Sequence, residues 1–449
     1  MFHDMGTGKT RTAIEIFGSL RVNNPKLVML VFAPLSLLNA AWGEDIKKFS
    51  TFNYWNLREK LANDPANPID IILANYEFLL SQKNINKLLL MATEFKANYQ
   101  DIMCVLDESS RIKNNQAKTT KTILKLTTLF KHRIVMSGTP APNSEMEYWP
   151  QIQFTSPGLL GNSMSAFRAK YFHMARGKQA QPIPQFMSRQ IAYDTFRKGW
   201  NYAITKDKRD ELIKTIMPHC HVVKKEDCLD LPDQVDEIRE VILDAPQMKI
   251  YKEMEKNLIT EINNKQIAAP IALTKIMKLR ELSSGFAIDE NNIIHEMPGT
   301  NKKLKELISV IEEADDQPII VFANFVWEVE KIYEILSKIA PTSTLYSGTK
   351  YKDESIQNFI NGKTRFMIGN SHSMSHGLTF IQCSLQVFFS LDYSAETYFQ
   401  ARDRIHRVGQ KKTCVYVHLI AKDTIDSKIL KILKEKGNMS SILWSMSPK

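Results

Sequence analysis

The segment Met5 to Thr10 reads Met-Gly-Thr-Gly-Lys-Thr, and a helical pattern begins directly after it. Gly6 and Gly8 let the backbone turn tightly so that its amides point inward, and the N-terminus of the following helix favours a negative charge at the same place. In such a loop Lys9 reaches the β- and γ-phosphates of a nucleotide, and the hydroxyl of Thr10 is available to magnesium. The residues predicted to bind the nucleotide are Met5, Gly6, Thr7, Gly8, Lys9 and Thr10.

Two features of this loop depart from the common pattern. His3 stands where the full motif GxxxxGK[ST] has its first glycine, so a plain surface turn stays open as an alternative. A strand normally feeds such a loop, yet only four residues precede Met5. Either the chain begins late or another segment supplies that strand, and we expect the N-terminal strand of the first domain to be missing.

Short β-branched runs alternate with longer helical patterns on both sides of a helical, basic and irregular middle segment. This alternation predicts parallel strands joined by right-handed helical crossovers. We therefore predict an α/β fold with one domain at 1–155, a helical insertion and linker at 156–300, and a second domain at 301–449. The runs are Leu27 to Ala33, Ile69 to Leu73, Met103 to Leu106, Arg133 to Met136, Ile319 to Phe322, Thr344 to Tyr346, Phe366 to Ile368, Gln386 to Ser390 and Val415 to Ile420.

An Asp-Glu pair follows the apolar run Ile102 to Leu106. This order places Asp107 at the carboxyl end of a strand, where a magnesium-binding acid belongs in a phosphate-loop site, and leaves Glu108 to orient and deprotonate the attacking water. A lone Asp-Glu pair at a strand end is more often a helix cap. Lys9 and Thr10 upstream make the catalytic interpretation specific.

Polar segments after two further strands complete the set of candidate residues. The turn-rich segment Ser137 to Ser144 suits a loop beside the γ-phosphate, although its composition alone favours a simple strand-to-helix turn. Arg404 and Arg407 lie three residues apart on a predicted helix, so both point the same way and could stabilise the charge on a transferring phosphate. A solvated arginine face is the alternative.

The net charge of +10 is concentrated in one stretch. Ser165 to Thr215 holds eleven Lys and Arg against four Asp and Glu, interleaved with aromatic residues such as Tyr171 and Trp200. This mixture is typical of nucleic-acid binding, while a solvated helical face over a local aromatic core explains it equally well. No apolar run approaches the roughly 20 residues that cross a bilayer, so we expect a cytoplasmic protein without membrane association.

The order of these segments resembles the superfamily-two helicases, specifically the Swi/Snf family of ATP-driven DNA translocases. The resemblance spans nearly the whole chain, and the ending DRIHRVGQKK is closer to that family than to RNA helicases of the DEAD-box type. The segments that carry it are MGTGKT at 5–10, VFAPLSLLNAAWGEDIKKF at 31–49, LANYEFL at 73–79, LDESSRIKN at 106–114, SGTPAPN at 137–143, PIIVFANF at 318–325, HGLTF at 376–380 and QARDRIHRVGQ at 400–410.

The resemblance implies two RecA-like lobes that bind ATP and Mg²⁺ in the cleft between them and step along duplex DNA. By the same resemblance Ser137 and Thr139 couple the lobes, and Gln400, Arg404 and Arg407 complete the site. The nucleic-acid contacts would fall on Pro34, Leu35, Ser36, Asn75, Tyr76, Ser347, Gly348, Gly377 and Thr379. We expect a monomer of a minimal phage or bacterial type.

Ser110 departs from the family, because many relatives have His at this position, and this difference puts the efficiency of coupling in doubt. Two other functions stay open from the sequence. One is a helicase that separates the strands of DNA or RNA. The other is a truncated module that binds nucleic acid without hydrolysing ATP, which the apparent lack of an N-terminal strand motivates.

Overall fold

The computed structural model describes residues 1–59, 69–98, 100–176, 200–263, 269–374 and 378–445. The chain divides into two compact units, one made of Met1–Leu229 with Asn438–Lys449 and the other of Asp230–Gly437. Each unit is built on a parallel sheet covered by helices, which confirms the predicted α/β class with two parallel-sheet domains. The predicted boundaries at 155 and 300 stay predictions.

The first unit contains a five-stranded sheet in which every pairing is parallel, with the order β3-β4-β2-β5-β6. Its strands are β2 (Val28–Ala33), β3 (Tyr54–Asn56), β4 (Ile71–Asn75), β5 (Ile102–Asp107) and β6 (His132–Met136). Its helices are α1 (Lys9–Asn23), α2 (Glu44–Phe49), α3 (Gln82–Ala97), α4 (Lys118–Lys125), α5 (Tyr148–Thr155), α6 (Met164–Tyr171), α7 (Lys206–Ile216) and α8 (Lys225–Cys228).

The inner strands β2, β4 and β5 of this sheet are buried on both faces because helices cover both. On β2, Val28, Leu30 and Phe32 pack in the core that includes α3 and α4. The alternate residues Met29 and Val31 pack on the opposite face with α1 and α2. Because alternate residues pack on opposite faces, each of these strands lies in the middle of three layers. Only the residues at its carboxyl end are then available to form a site.

A two-residue strand, β1 (Phe2–His3), precedes the glycine loop and corrects the expectation that this strand is missing. It pairs in parallel with β9 (Val222–Val223), and Phe2 forms a bridge to Ser137 just beyond β6. Phe2 is buried in the core. The chain before the loop is thus held between two segments that follow it in sequence.

The second unit contains a six-stranded sheet with the order β10-β17-β16-β13-β15-β14, again with only parallel pairings. Its strands are β10 (Gln234–Val241), β13 (Ile319–Phe322), β14 (Thr342–Leu345), β15 (Phe366–Gly369), β16 (Leu385–Phe388) and β17 (Cys414–Ala421). Its helices are α9 (Ala245–Asn263), α10 (Ala269–Ser284), α11 (Lys302–Glu313), α12 (Val326–Leu336), α13 (Lys352–Ile360), α14 (Ser371–Met374), α15 (Ala395–Arg402) and α16 (Ile425–Ser445).

β10 lies at the edge of this sheet and was not predicted from the sequence. Most of its residues are exposed or half-buried, and its charges are paired: Arg239 with Glu306 and Glu313, and Asp236 with Arg402. Two short antiparallel pairs also lie in the described ranges, β7 (His173–Arg176) with β8 (Trp200–Ala203) and β11 (Phe286–Ile288) with β12 (Ile294–Glu296). Within the described ranges, no helix is both long and apolar enough to span a bilayer.

A buried ion pair joins α11 to the start of α16 in the second unit. The Lys303 ammonium lies 2.5 Å from Asp426, and both side chains are almost fully buried. Lys303 also donates to the carbonyl of Phe389, while Asp426 accepts from the Ser283 hydroxyl and the Ala421 amide. With these hydrogen bonds each charge is compensated inside the core.

We predict that Asp426→Asn lowers the free energy of unfolding of the second unit by about 3–5 kcal/mol, because it leaves the Lys303 ammonium buried without its counter-charge. Urea unfolding followed by circular dichroism measures this change. The exposed pair Lys338 and Glu334 serves as a control, and Lys338→Gln should change the stability by less than about 0.5 kcal/mol. Equal effects of the two substitutions would contradict the assignment.

Candidate nucleotide site

The glycine loop lies between β1 and α1 with its backbone in the left-handed region at two positions. Gly6 has φ 83° and Gly8 has φ 84°, which L side chains rarely adopt. A Cβ built on Gly8 would meet nothing within 4 Å, so the backbone angle, and not crowding, requires glycine there. Gly8 directly precedes the first residue of α1, so the N-terminus of this helix faces the loop as the sequence predicted.

The ammonium of Lys9 is held by carbonyl oxygens of the preceding segment. Its Nζ donates to the main-chain oxygens of His3 at 3.0 Å and Asp4 at 3.1 Å. The hydroxyl of Thr7 donates to the same Asp4 oxygen at 2.7 Å. The short strand β1 therefore fixes the lysine, and these carbonyls occupy positions around Nζ that phosphate oxygens could take.

Asp107 ends β5, where the sequence placed it, and its carboxylate is buried. Oδ2 accepts from the indole Nε1 of Trp42 and Oδ1 accepts from the main-chain amide of Glu108, both at 2.9 Å. Burial raises the pKa of Asp107, while the Trp42 hydrogen bond and the nearby charge of Lys9 oppose that rise. Lys9 and Asp107 are thus brought into one site.

Glu108 is also buried and adopts a left-handed backbone conformation with φ 51°. Its Oε1 accepts from the hydroxyl of Ser137 at 3.1 Å and from that of Ser110 at 3.3 Å. The oxygen of Ser137 in turn accepts from the amide of Thr139 at 3.1 Å. A non-glycine residue at this φ is strained, and such strain is concentrated at functional sites.

Thr10 lies in the first turn of α1, and its side chain is one of the groups that act on the carboxyl of Asp45 in α2. Burial raises the pKa of Asp45, and Lys48 and Thr10 act against the rise. Magnesium prefers oxygen ligands, and the carboxylate of Asp107 and the hydroxyl of Thr10 supply that chemistry. These two residues have the chemistry of magnesium ligands, and the magnesium site itself stays a prediction.

Trp42 and Asp45 were not predicted from the sequence. Both lie in the segment 31–49, for which the sequence predicted only the nucleic-acid contacts at its start. A tryptophan next to an acidic helix start carried no signal of its own, because its hydrogen bond to Asp107 spans 65 residues. A tertiary contact of this length has no signature in local periodicity.

Gln400, Arg404 and Arg407 belong to the second unit. Gln400 and Arg404 are buried, and Arg407 is half-buried. The expectation that both arginines lie on a helix is wrong, because α15 ends at Arg402. The guanidinium of Arg404 donates to the carbonyl of Gln400, and that of Arg407 to the carbonyl of Asp403.

In each contact the guanidinium of residue i donates to the carbonyl of residue i−4, where the main-chain amide of residue i would donate in a continuing helix. Arg404 also donates to the carbonyl of Leu378, and Arg407 to the hydroxyl of Thr379, both at 2.8 Å. The two arginines are thereby fixed to the segment that carries the predicted contact Thr379. Gly377, which neighbours it, lies outside the described residues.

The other predicted nucleic-acid residues fall into an exposed and a buried group. Leu35, Ser36, Ser347 and Gly348 are exposed. Pro34, Asn75 and Tyr76 are buried, and the hydroxyl of Tyr76 donates to the main-chain oxygen of Asp107 at 2.8 Å. The exposed residues are positioned to contact a ligand directly, whereas Tyr76 contacts the acid at the end of β5.

The basic stretch is described only in part, since 177–199 lies outside the described ranges. In the described part, several cations have partners within the protein. Arg209 lies 2.5 Å from Glu145, Lys208 lies 2.7 Å from Glu211, and the guanidinium of Arg168 stacks on Tyr202. These contacts favour the interpretation of α6 and α7 as a helical face over a local aromatic core.

Two family models match this chain. The SNF2-related domain matches residues 1–284, and the helicase conserved C-terminal domain matches residues 301–409. An uncharacterized ATP-dependent helicase of Mycoplasma pneumoniae is 24% identical over 98% of this chain and 39% of that protein. A DNA repair and recombination protein of the RAD54-like type from Drosophila ananassae is 23% identical over 99% of this chain and 59% of its own length.

Among solved structures, the Sulfolobus solfataricus SWI2/SNF2 ATPase core in complex with double-stranded DNA is 24% identical. The alignment covers 99% of this chain and 90% of that one with a TM-score of 0.40. The chain spans well under two thirds of the length of both named relatives, the Mycoplasma helicase and the Drosophila repair protein.

We predict that Ser137→Ala lowers the turnover number for ATP by about 10- to 100-fold, because a hydrogen bond to a carboxylate is worth about 1.5–3 kcal/mol. The KM for ATP should stay within about twofold, since Ser137 contacts Glu108 and not the glycine loop. Steady-state kinetics gives both values. Ser109→Ala is the matched control, because Ser109 is equally buried and donates to Gln151 instead; equal losses in the two variants would contradict this role.

Proposed function

The chain belongs to the SNF2-related family, and from this premise we propose that it is an ATP hydrolase, specifically a DNA-dependent ATPase that couples hydrolysis to translocation on duplex DNA. We propose that the two lobes of this motor are 1–155 and 301–449. The observation that supports the proposal most is the convergence of Lys9, Asp107, Glu108 and Ser137 at one edge of the first sheet. A module that only binds nucleic acid has no need of this set.

In the proposed mechanism, Lys9 exchanges its contacts with the carbonyls of His3 and Asp4 for the β- and γ-phosphates of ATP. Glu108 orients the attacking water and accepts its proton, and the two serine hydroxyls on Oε1 hold the carboxylate in position. Asp107 and Thr10 would hold Mg²⁺, which neutralises charge on the phosphates when bound. Most of the rate comes from such positioning and electrostatic stabilisation.

We propose duplex DNA as the polymer for three reasons. The net charge is +10. The segment at 403–412 resembles the DNA-directed branch of the superfamily, and one relative is named as a DNA repair and recombination protein.

In the second unit, Thr379 is both a predicted contact for the polymer and a partner of Arg407. A ligand at Thr379 would act on Arg407 directly, which is a physical route from polymer binding to catalysis.

We predict that Lys9→Ala and Glu108→Gln abolish ATP turnover while leaving binding to duplex DNA largely intact, because neither residue is on the proposed polymer surface. Turnover is measured with no polymer, with single-stranded DNA, with duplex DNA and with duplex RNA. We expect duplex DNA to stimulate the wild-type protein most. Lys26→Ala is the matched control, since Lys26 is an exposed lysine of the same unit and should turn over ATP as the wild type does.

The same panel separates the other functions. A greater stimulation by duplex RNA, together with release of one strand from a forked substrate, would favour a strand-separating helicase. Stimulated turnover that survives in both Lys9→Ala and Glu108→Gln would defeat the assignment of the site. A wild-type protein that binds DNA but shows no turnover would favour a non-hydrolysing module.

We further propose that Arg404 and Arg407 act on the γ-phosphate in the ATP-bound state. We predict that Arg407→Ala lowers stimulated turnover by about 1000-fold and changes ATP affinity little, because an arginine of this kind stabilises charge that develops only in the transition state. Arg407→Lys should recover only a small part of the rate, since an ammonium cannot replace the planar guanidinium. Rapid-quench kinetics and nucleotide binding give the two quantities, and an unchanged rate would remove Arg407 from the site.

A further inference from the structure

Trp42 is fully buried on a π-helical turn, Leu38–Gly43, that follows β2. Its indole Nε1, which can donate but not accept, donates a hydrogen bond to Oδ2 of Asp107 at 2.9 Å. A buried N–H without a partner is unfavourable by about 1–3 kcal/mol, so this hydrogen bond fixes both the ring and the carboxylate. The contact joins the turn after β2 to the end of β5.

Tyr76 makes a second contact of the same kind from the other side of β2. It begins the turn after β4, its side chain is 4% exposed, and its hydroxyl donates to the main-chain oxygen of Asp107 at 2.8 Å. The strand order β4-β2-β5 places both turns at the carboxyl edge next to Asp107. Asp107 therefore receives one donor on its side chain from Trp42 and one on its backbone from Tyr76.

Both donors lie in segments whose other residues are expected to contact the polymer. Leu35 and Ser36 are exposed, and Trp42 follows Ser36 by six residues in the same run of helical turns. Tyr76 was itself predicted to contact nucleic acid, but its hydroxyl is committed to Asp107. A movement of either turn cannot occur without changing a hydrogen bond to the acid.

The geometry points to Trp42 and Tyr76 as positioning residues with different roles: Trp42 fixes the carboxylate of Asp107 for its metal ion, and both residues tie Asp107 to the turns that follow β2 and β4. The metal arm of this inference needs only the oxygen ligands of Asp107 and Thr10. The second arm, in which polymer binding reaches the metal through these turns, rests on the proposed function. Partners that orient a metal ligand in this way typically affect metal affinity 10- to 100-fold.

Simple packing is the competing explanation, because the Trp42 ring also lies in the apolar core with α1 and Ile46 of α2. Phenylalanine separates the two explanations, since it keeps an aromatic ring and removes the donor. The first unit offers matched controls that lose the same groups elsewhere. Trp149 donates its indole N–H to the carbonyl of Gly161, and Tyr171 donates its hydroxyl to Thr215.

The test measures Mn²⁺ binding by electron paramagnetic resonance with the full chain, a non-hydrolysable ATP analogue and no DNA. We expect Trp42→Phe to weaken Mn²⁺ binding about 10- to 100-fold, whereas Trp149→Phe binds as the wild type does. Asp107→Asn, which removes the charge of the ligand itself, gives the lowest Mn²⁺ affinity expected in this comparison. Wild-type Mn²⁺ affinity in Trp42→Phe, or an equal loss in Trp149→Phe, would overturn the inference.

The second arm uses the ratio of turnover with duplex DNA to turnover without polymer. We expect Tyr76→Phe to lower this ratio by about tenfold with near-normal Mn²⁺ affinity, since its hydroxyl contacts the backbone and not the carboxylate, and Tyr171→Phe to keep the wild-type ratio. An unchanged ratio in Tyr76→Phe would overturn this arm. If DNA does not stimulate the wild type at all, the proposed function fails while the Mn²⁺ measurement still decides the metal arm.

If Trp42→Phe does not fold, replacing Trp42 with 3-benzothienylalanine keeps the shape of the two fused rings and substitutes sulfur for the N–H. This residue should give the same loss of Mn²⁺ affinity with little change in the melting temperature. Unchanged Mn²⁺ affinity in the benzothienyl protein would contradict the inference as directly as in the phenylalanine variant.

Discussion

The parallel direction of the strands in each sheet is the constraint from which the site follows. In the first unit, β4, β2, β5 and β6 are neighbours in that order and all run the same way, so the residues after them leave from one edge. Asp107 ends a strand with neighbours on both sides. The turns after β2 and β4 lie on one side of it, and Ser137 lies on the other, where β1 and the glycine loop attach through Phe2.

This arrangement buries the carboxylates of Asp107 and Glu108, and burial is unfavourable for the ionised acids. The raised pKa of Asp107 means that the folded protein binds its proton more tightly than the unfolded chain does. The contribution of Asp107 to stability therefore falls as the pH rises through its unfolded pKa and then its folded pKa. The ionised form of Asp107 is nevertheless the one that binds a divalent cation, so this lower stability accompanies the form that the proposed function needs.

The sequence predicted the elements that are long and apolar and the residues that follow them. Each of the nine predicted strands matches a strand of the structure to within about two residues, because alternating burial on both faces leaves a strong apolar run. It missed β1 and β3, which are too short to show a period, and β10, whose exposed edge position leaves a charged sequence. Among site residues, Lys9, Asp107, Glu108 and Ser137 came from local motifs. Trp42 did not, since only the fold brings it to Asp107.

The early end of α15 has a similar explanation. The sequence from Gln400 to Arg407 contains no helix breaker, so continued helix was the better prediction from propensity. In the folded unit the guanidinium groups of Arg404 and Arg407 bind carbonyls at the end of the helix. Gly409 then turns the chain in the left-handed region with φ 99°. Side-chain contacts of this kind outweigh the helix propensity of these residues, which is roughly a few tenths of a kcal/mol per residue.

We propose that hydrolysis of ATP moves this protein along duplex DNA without separating the strands, and displacement of a third strand from a DNA triplex tests this proposal most directly. We predict that the wild-type protein releases the triplex-forming oligonucleotide only with hydrolysable ATP, at a delay that grows with the length of duplex between its entry point and the triplex. The underlying duplex should stay intact. Duplex-stimulated hydrolysis with no release of the third strand would contradict translocation.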